Sequence, residues 1–220
     1  MRPSLNNIET LLLDMDGTVL DLHFDNHFWV EHLPRRYGQI HQLAERQAAE
    51  YVAASLEAAH GSLDWYCIDH WARHFNIDIM ELKREIDHLI RYRDGSLEFL
   101  RRLEELDHLH VLVITDAHPD VLVLKQELTG LLDHVDGWFS SHHFGKPKRD
   151  PAFWEALSAE ISFDPEHTMM IDDNVSVLDA ARDFGIRHAV CINQPDSART
   201  RNLRHDYLRL DSLSQLLDAA

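Results

Sequence analysis

The chain is poor in the features that would tie it to an oxidising compartment, a membrane or a nucleic acid. Only two of its 220 residues are cysteine, Cys67 and Cys191. They lie in apolar surroundings, WYCID and HAVCIN, with no CxxC spacing, and are expected to be buried, reduced thiols. Basic residues are scarce: 21 Lys and Arg stand against 38 Asp and Glu, a formal net charge of −17. Such a surface repels phosphodiester backbones and anionic lipids, so neither nucleic acid nor membrane is expected as a partner. No apolar run approaches the roughly 18 residues of a membrane span. The N-terminal MRPSLNNIETLLLDMDG carries a very short apolar run followed by acids, unlike a secretory leader, which makes the cytoplasm the expected location. Histidine is abundant at 17, yet the residues are scattered. They show no HExxH and no paired Cys/His spacing, and His142–His143 is the only adjacent pair, which argues against zinc.

What is present reads as an ordinary globular chain. Hydrophobic residues make up 45% and charged residues 27%, too apolar for disorder. The length suits one domain, or a core with a modest insertion. Leu11-Leu12-Leu13 is a short apolar run ending in Asp14 and Asp16-Gly17, the pattern of a buried strand and a turn. Residues 25–92 then read as helical throughout. Apolar positions recur at three- and four-residue spacing over 28–37, 43–59, 63–75 and 79–90. From Asp94-Gly95 onward the pattern changes. A helix through Phe99 and Leu103 leads to a strand over 110–114, and Pro119 to Gly130 frame a helix. Further strands are expected at 138–140, 168–171 and 188–192, with helices over 151–160, 175–184 and about 212–218.

Strands alternating with helices predict an α/β fold with a Rossmann-like, doubly wound parallel sheet. The helical stretch interrupts that alternation. The expected organisation is an α/β core from residues 1–22 and 93–220, with an inserted helical cap over 23–92.

Three apolar strands end in polar residues: Asp14 and Asp16, then Thr115, then Asp172 and Asp173. Ligands of open α/β sheets bind at the carboxyl ends of strands, so these residues are expected to share one cleft. Four carboxylates cannot crowd together ionised without a cation. Hard oxygen ligands select Mg²⁺, the ion that phosphate chemistry uses.

DMDGT at 14–18, a strand ending in Thr115, a lysine at 146 or 148 and IDD at 171–173 resemble the four motifs of the haloacid dehalogenase superfamily. Their order agrees, and so does the place of the insertion, between the first and second motifs, as in members with a type-1 helical cap. FDNHFW at 24–29, LDWYCIDHW at 63–71, TDAHP at 115–119, SSHHFG at 140–145 and ARDFGIRH at 181–188 are further similar to bacterial nucleotidases of this superfamily that favour GMP and IMP.

The resemblance implies a Mg²⁺-dependent phosphatase. Asp14 would be the nucleophile and a metal ligand. Asp16 would be the general acid and base, with its backbone carbonyl on the metal. Thr115 would donate to the phosphate. The residue after it, Asp116, departs from the asparagine common there and would have to turn away or pair with a cation. Lys146 and Lys148 are both candidates for the phosphate-binding lysine. Lys148 is preferred because Pro151 and Trp154 follow it at three and six residues, as in many members. Asp173 would be the direct metal ligand, and Asp172 a second ligand or a partner of the lysine.

Trp29, Trp65, Tyr66 and Trp71 could stack on a purine, and Phe24, Asp25, Asn26 and His118 would sit near the mouth of the site. The substrate would be a small phosphorylated metabolite, a purine nucleotide first. A sugar-phosphate phosphatase, a phosphomutase and a degenerate binding scaffold are the alternatives. No feature of the chain specifies an oligomeric state.

Overall fold

The computed structural model describes residues 5–200 and 205–219. Six strands form one parallel sheet. They are β1 (Thr10–Leu13), β2 (His110–Thr115), β3 (Gly137–Ser140), β4 (Thr168–Asp172), β5 (His188–Ile192) and β6 (Leu208–Leu210), in the spatial order β3-β2-β1-β4-β5-β6. β6 has no counterpart in the sequence reading. Three residues are too few for a periodic signal, and a polar RHDY segment precedes them.

A parallel sheet is covered on both faces, so its strands are continuous apolar runs. Successive side chains serve opposite layers. Leu11, Leu13, Val111, Val113, Met169 and Ile171 pack on one side with Phe99, Leu100 and Leu103. Leu12, Leu112, Ile114 and Met170 pack on the other with Phe153, Trp154, Leu157 and Val177.

Between β1 and β2 the chain is helical: α1 (His23–His27), α2 (Leu33–His41), α3 (Glu45–Ala59), α4 (Ile68–Phe75), α5 (Ile79–Arg84) and α6 (Ser96–Leu103). Phe28–His32 forms a π-helical turn joining the first two, and Leu63–Tyr66 is a 3₁₀ turn rather than the start of the expected longer helix. This stretch has its own core. Phe24, Phe28, Val52, Trp71, Phe75, Ile79 and Leu82 cluster there, joined by Val121 from beyond β2.

The remaining helices are α7 (Pro119–Thr129), α8 (Ser141–Phe144), α9 (Pro151–Glu160) and α10 (Val175–Phe184). Their ends follow capping chemistry. Pro119 opens α7 and Gly130 closes it, Asp150 and Pro151 start α9, and Asn174 and Gly185 bound α10. The segment Leu213–Ala219 is a 3₁₀ helix, where an α-helix was expected. From β1 the chain runs to β2 on one side of it, and β4 lies on the other. The crevice of a doubly wound sheet therefore opens at the carboxyl ends of β1 and β4.

Candidate active site

Asp14 follows β1 directly, and its backbone N–H donates to the carbonyl of Ile171 on β4 at 2.9 Å. That bond sets the carboxyl groups after the two strands side by side. Ligand oxygens of Asp14, Asp172 and Asp173 lie within 4.8 Å of one another. Lys148 joins them: its Nζ donates to Asp14 Oδ1 at 2.6 Å, to Asp172 Oδ2 at 2.7 Å and to the Ile114 carbonyl at 3.1 Å.

The loop that carries Lys148 is fastened from both sides. Its N–H donates to Asp116 Oδ1 at 2.9 Å, and its carbonyl accepts from the Trp154 indole at 2.8 Å. This explains Asp116, which points at the lysine's backbone. Lys146 lies outside the cluster. It is half-exposed and its ammonium is 3.9 Å from Asp150, so of the two candidate lysines only Lys148 reaches the carboxylates.

The electrostatics follow from burial and an excess of negative charge. Burial pushes the Asp14 carboxyl well above the usual carboxylate range; Lys148 opposes this, and Asp172, Asp173 and Asp16 add to it. Burial works against the Lys148 ammonium, but Asp14, Asp172 and Asp116 outweigh it and hold the lysine firmly protonated. Several carboxylates thus share one ammonium. Asp14 Oδ2 is buried and has no hydrogen-bond partner among the described residues. An all-oxygen donor set with surplus negative charge and an orphaned carboxylate oxygen fits a hard divalent cation such as Mg²⁺. Asp14, Asp172 and Asp173 are the residues that could hold it.

Asp16 is held by a different lysine. Its Oδ1 accepts from Lys125 Nζ at 2.6 Å, so its carboxylate stands outside the three-carboxylate cluster. Lys125 also donates to Asp25 Oδ2 at 2.6 Å, and Lys83 donates to Asp25 Oδ1 at 3.0 Å. Lys83 in turn sits over the Phe28 ring, 4.3 Å from its centroid. Burial raises the Asp16 pKa against the pull of Lys125. Asp25, despite burial, is pulled down to about 2 by Lys125 and Lys83.

The sequence reading missed both lysines. A signal existed: Lys125 falls on the buried stripe of α7 with Val121 and Leu122, and Lys83 on that of α5 with Ile79 and Leu82. A lysine at an apolar position of a helical period calls for a buried partner.

Gly17 fixes the turn after β1. It has φ +90°, and a Cβ there would stand 2.9 Å from Asp173 Cγ and from Pro195 Cβ. Gly17→Ala is expected to cost about 1–3 kcal/mol in urea unfolding, from backbone strain and overpacking. It should also raise the Mg²⁺ concentration needed for half-maximal activity, because the new methyl group displaces Asp173. An unchanged metal requirement would separate the turn from the metal cluster.

A cavity of about 720 Å³ opens over these groups. Asp14, Asp16, Thr115, Asp116, Lys148, Asp172 and Asp173 line it together with Trp29, Trp65, Tyr66, Asp25 and Asn26. Thr115 Oγ1 accepts from the Ala117 N–H at 3.0 Å, which leaves its hydroxyl proton to donate. Arg149 and His118 also reach the cavity. Trp71 does not: it is fully buried and its indole donates to the Trp65 carbonyl. Phe24 is buried beneath the two lysines. Asp179 is bound by Arg182 and Tyr207 on the flank of α10, away from the site. Cys191 is buried as expected, whereas Cys67 is only half-buried.

The profile of haloacid dehalogenase-like hydrolases matches residues 8–185. The chain belongs to the haloacid dehalogenase-like hydrolase family. Within it, the sequence is 38% identical over 210 residues to the GMP/IMP nucleotidase YrfG of Escherichia coli (strain K12), covering 93% of this chain and 94% of that protein. The same figures hold for the YrfG nucleotidase of Shigella flexneri. Solved structures with the same fold include a haloacid dehalogenase-type phosphatase from Thermococcus onnurineus, with TM-score 0.79 and 20% identity over 96% of this chain and 97% of that one. Another is the L-2-haloacid dehalogenase of Xanthobacter autotrophicus, with TM-score 0.61 and 13% identity over 95% and 96%. A hydrolase of the haloacid dehalogenase-like family, similar to nucleotidases, is thus the enzyme class of this chain. Among the described residues no helix is long and apolar enough to cross a membrane.

Proposed function

We propose that the chain is a Mg²⁺-dependent phosphomonoesterase acting through an aspartyl-phosphate on Asp14, with purine nucleoside 5′-monophosphates, GMP and IMP first, as substrates. The observation that carries the chemistry is the pairing at Asp14. One carboxylate oxygen is held by Lys148 and the other is buried without a partner beside Asp172 and Asp173. A carboxylate oriented by Lys148 at one oxygen and facing the candidate cation site with the other is fixed in place for attack on phosphorus. Lys148 and the Thr115 hydroxyl would meet the phosphoryl oxygens as charge develops on them. Bound between Asp14, Asp172 and Asp173, Mg²⁺ would neutralise phosphate charge and orient the transferring group. Asp16 would donate its proton to the departing ribose oxygen, then take one from the water that cleaves the aspartyl-phosphate. Burial raises its pKa toward that task.

The substrate reading rests on the extensive identity to a nucleotidase and on the cavity's aromatic lining. Trp29, Trp65 and Tyr66 offer aromatic surface within the cavity, and a volume of about 720 Å³ accommodates a nucleotide. Burial and the neighbouring Asp116 raise the Tyr66 pKa, so its phenol stays protonated and can donate to a base or ribose. Residues 23–92 would act as a cap that closes over the bound substrate and excludes water. The cytoplasm is the matching location, where thiols such as those of Cys67 and Cys191 stay reduced.

The reading is tested by phosphate release with Mg²⁺ from GMP, IMP, AMP, UMP and several sugar phosphates. GMP and IMP should lead, and a sugar phosphate in the lead would overturn the substrate assignment. Asp16→Asn is expected to lower kcat for GMP by about 10²–10³-fold. The loss should shrink toward unity with p-nitrophenyl phosphate, whose leaving group needs no proton. Equal losses on both substrates would remove Asp16 from proton transfer.

A further inference from the structure

Three helix starts meet at the edge of the cavity. Cys67 immediately precedes α4, His118 immediately precedes α7, and His142 stands in the first turn of α8. A sulfur and two imidazole nitrogens from these residues lie within 4.8 Å of one another, on half-buried side chains. Wide separation along the chain hides this set from any reading of sequence spacing.

Nε2 of His142 is buried and has no hydrogen-bond partner among the described residues. Burial and the neighbouring His118 pull the His142 pKa down to about 4, so the ring is neutral near pH 7 and offers a lone pair. Cys67 Sγ accepts from the N–H of His70 at 3.4 Å, which holds the sulfur at the start of α4. Nδ1 of His118 accepts from the N–H of Asp120 at 3.3 Å, and the ring nitrogens lie 3.8 Å from the Asp69 and Asp120 carboxylates, which makes the rim acidic.

We infer that Cys67, His118 and His142 form a second cation site, for a borderline-soft divalent ion such as Zn²⁺, which ties the helical segment carrying Cys67 to the strand-end loops carrying the two histidines. One sulfur and two imidazoles combine the donor types that zinc binds in three-ligand sites, which keep a fourth position open. Bond lengths of about 2.0–2.3 Å bring such ligand atoms roughly 3–4 Å apart, a small closure from the present spacing. Mg²⁺ does not compete for these atoms, since hard cations prefer oxygen. The two sites are therefore chemically separate: carboxylates at the end of β1 and β4, sulfur and nitrogen at the rim. His118 lines the cavity, so a filled rim site also restrains one wall of it.

The test uses the full chain in millimolar Mg²⁺, with Zn²⁺ retention measured by equilibrium dialysis and Co²⁺ as the spectroscopic probe. The expected result is one retained Zn²⁺ per chain. Co²⁺ should give a sulfur-to-cobalt charge-transfer band in the near ultraviolet. Cys67→Ser should abolish the band, His142→Gln should weaken Zn²⁺ binding by about tenfold or more, and Cys191→Ser should change neither. Zn²⁺ should also protect Cys67 of the wild type from a maleimide. Loss of all retained Zn²⁺ in Mg²⁺, or a band that survives Cys67→Ser, would overturn the site. Should a variant fail to fold by circular dichroism, the wild type decides: absence of both the band and maleimide protection overturns the proposal.

Discussion

Asp14→Asn is expected to lower kcat for GMP by about 10⁴-fold or more while leaving the fold intact. The amide keeps the shape of the carboxylate but is too weak a nucleophile to attack phosphorus. Its removal of one negative charge relieves a crowded group. Burial and the neighbours Asp172, Asp173 and Asp16 already disfavour ionised Asp14, and Lys148 retains Asp172 Oδ2 and the Ile114 carbonyl as partners. The melting temperature without Mg²⁺ should therefore hold or rise, whereas Mg²⁺ should stabilise the variant less than the wild type. Activity within a hundredfold of wild type would move the nucleophile elsewhere.

Lys148→Met is the second large effect, and it strikes stability as well as rate. The ammonium is the shared partner of Asp14 and Asp172, all three being buried. Removing one member of a buried ion pair leaves uncompensated charge and costs about 3–5 kcal/mol. The same change removes the cation expected on the transferring phosphoryl group, at least about 10³-fold in kcat. Mg²⁺ should restore part of the lost stability, because the cation neutralises the same carboxylates. Lys146→Met is the control. Its ammonium is half-exposed and 3.9 Å from Asp150, so its effect should stay within about 0.5 kcal/mol. Comparable losses in the two variants, read from urea melts and kcat, would contradict the assignment of Lys148.

The parts of this account legible in the sequence are those where local pattern and function coincide. Leu11 to Leu13, Val111 to Ile114 and Thr168 to Ile171 are apolar runs because the sheet is covered on both faces, and each ends where the crevice opens. Asp14, Thr115 and Asp172 could be placed on one edge for that reason alone. The preference for Lys148 over Lys146 came from the resemblance to family members with Pro and an aromatic at the places of Pro151 and Trp154, and the Trp154 indole holds the Lys148 carbonyl.

What stayed hidden depends on packing between distant elements. Lys83 and Lys125 converge on Asp25 from helices on opposite sides of β2 in sequence, and no local pattern encodes that meeting. Trp71 and Trp65 look alike as aromatics on helical segments, yet one is core and the other lines the cavity. The Cys67, His118 and His142 cluster was invisible for the same reason, and the abundance of histidine masked it further. β6 was missed because its three residues pair only with β5 and draw their strand character from that neighbour.

The central claim is that Asp14 carries the phosphoryl group. It is tested most directly by quenching the enzyme in acid during turnover of GMP with Mg²⁺ and reducing the denatured protein with borohydride, which converts an aspartyl-phosphate to homoserine. Peptide mass analysis should find homoserine at position 14 and nowhere else, in proportion to the burst of guanosine released. Homoserine at another aspartate, or none despite a burst, would contradict the account.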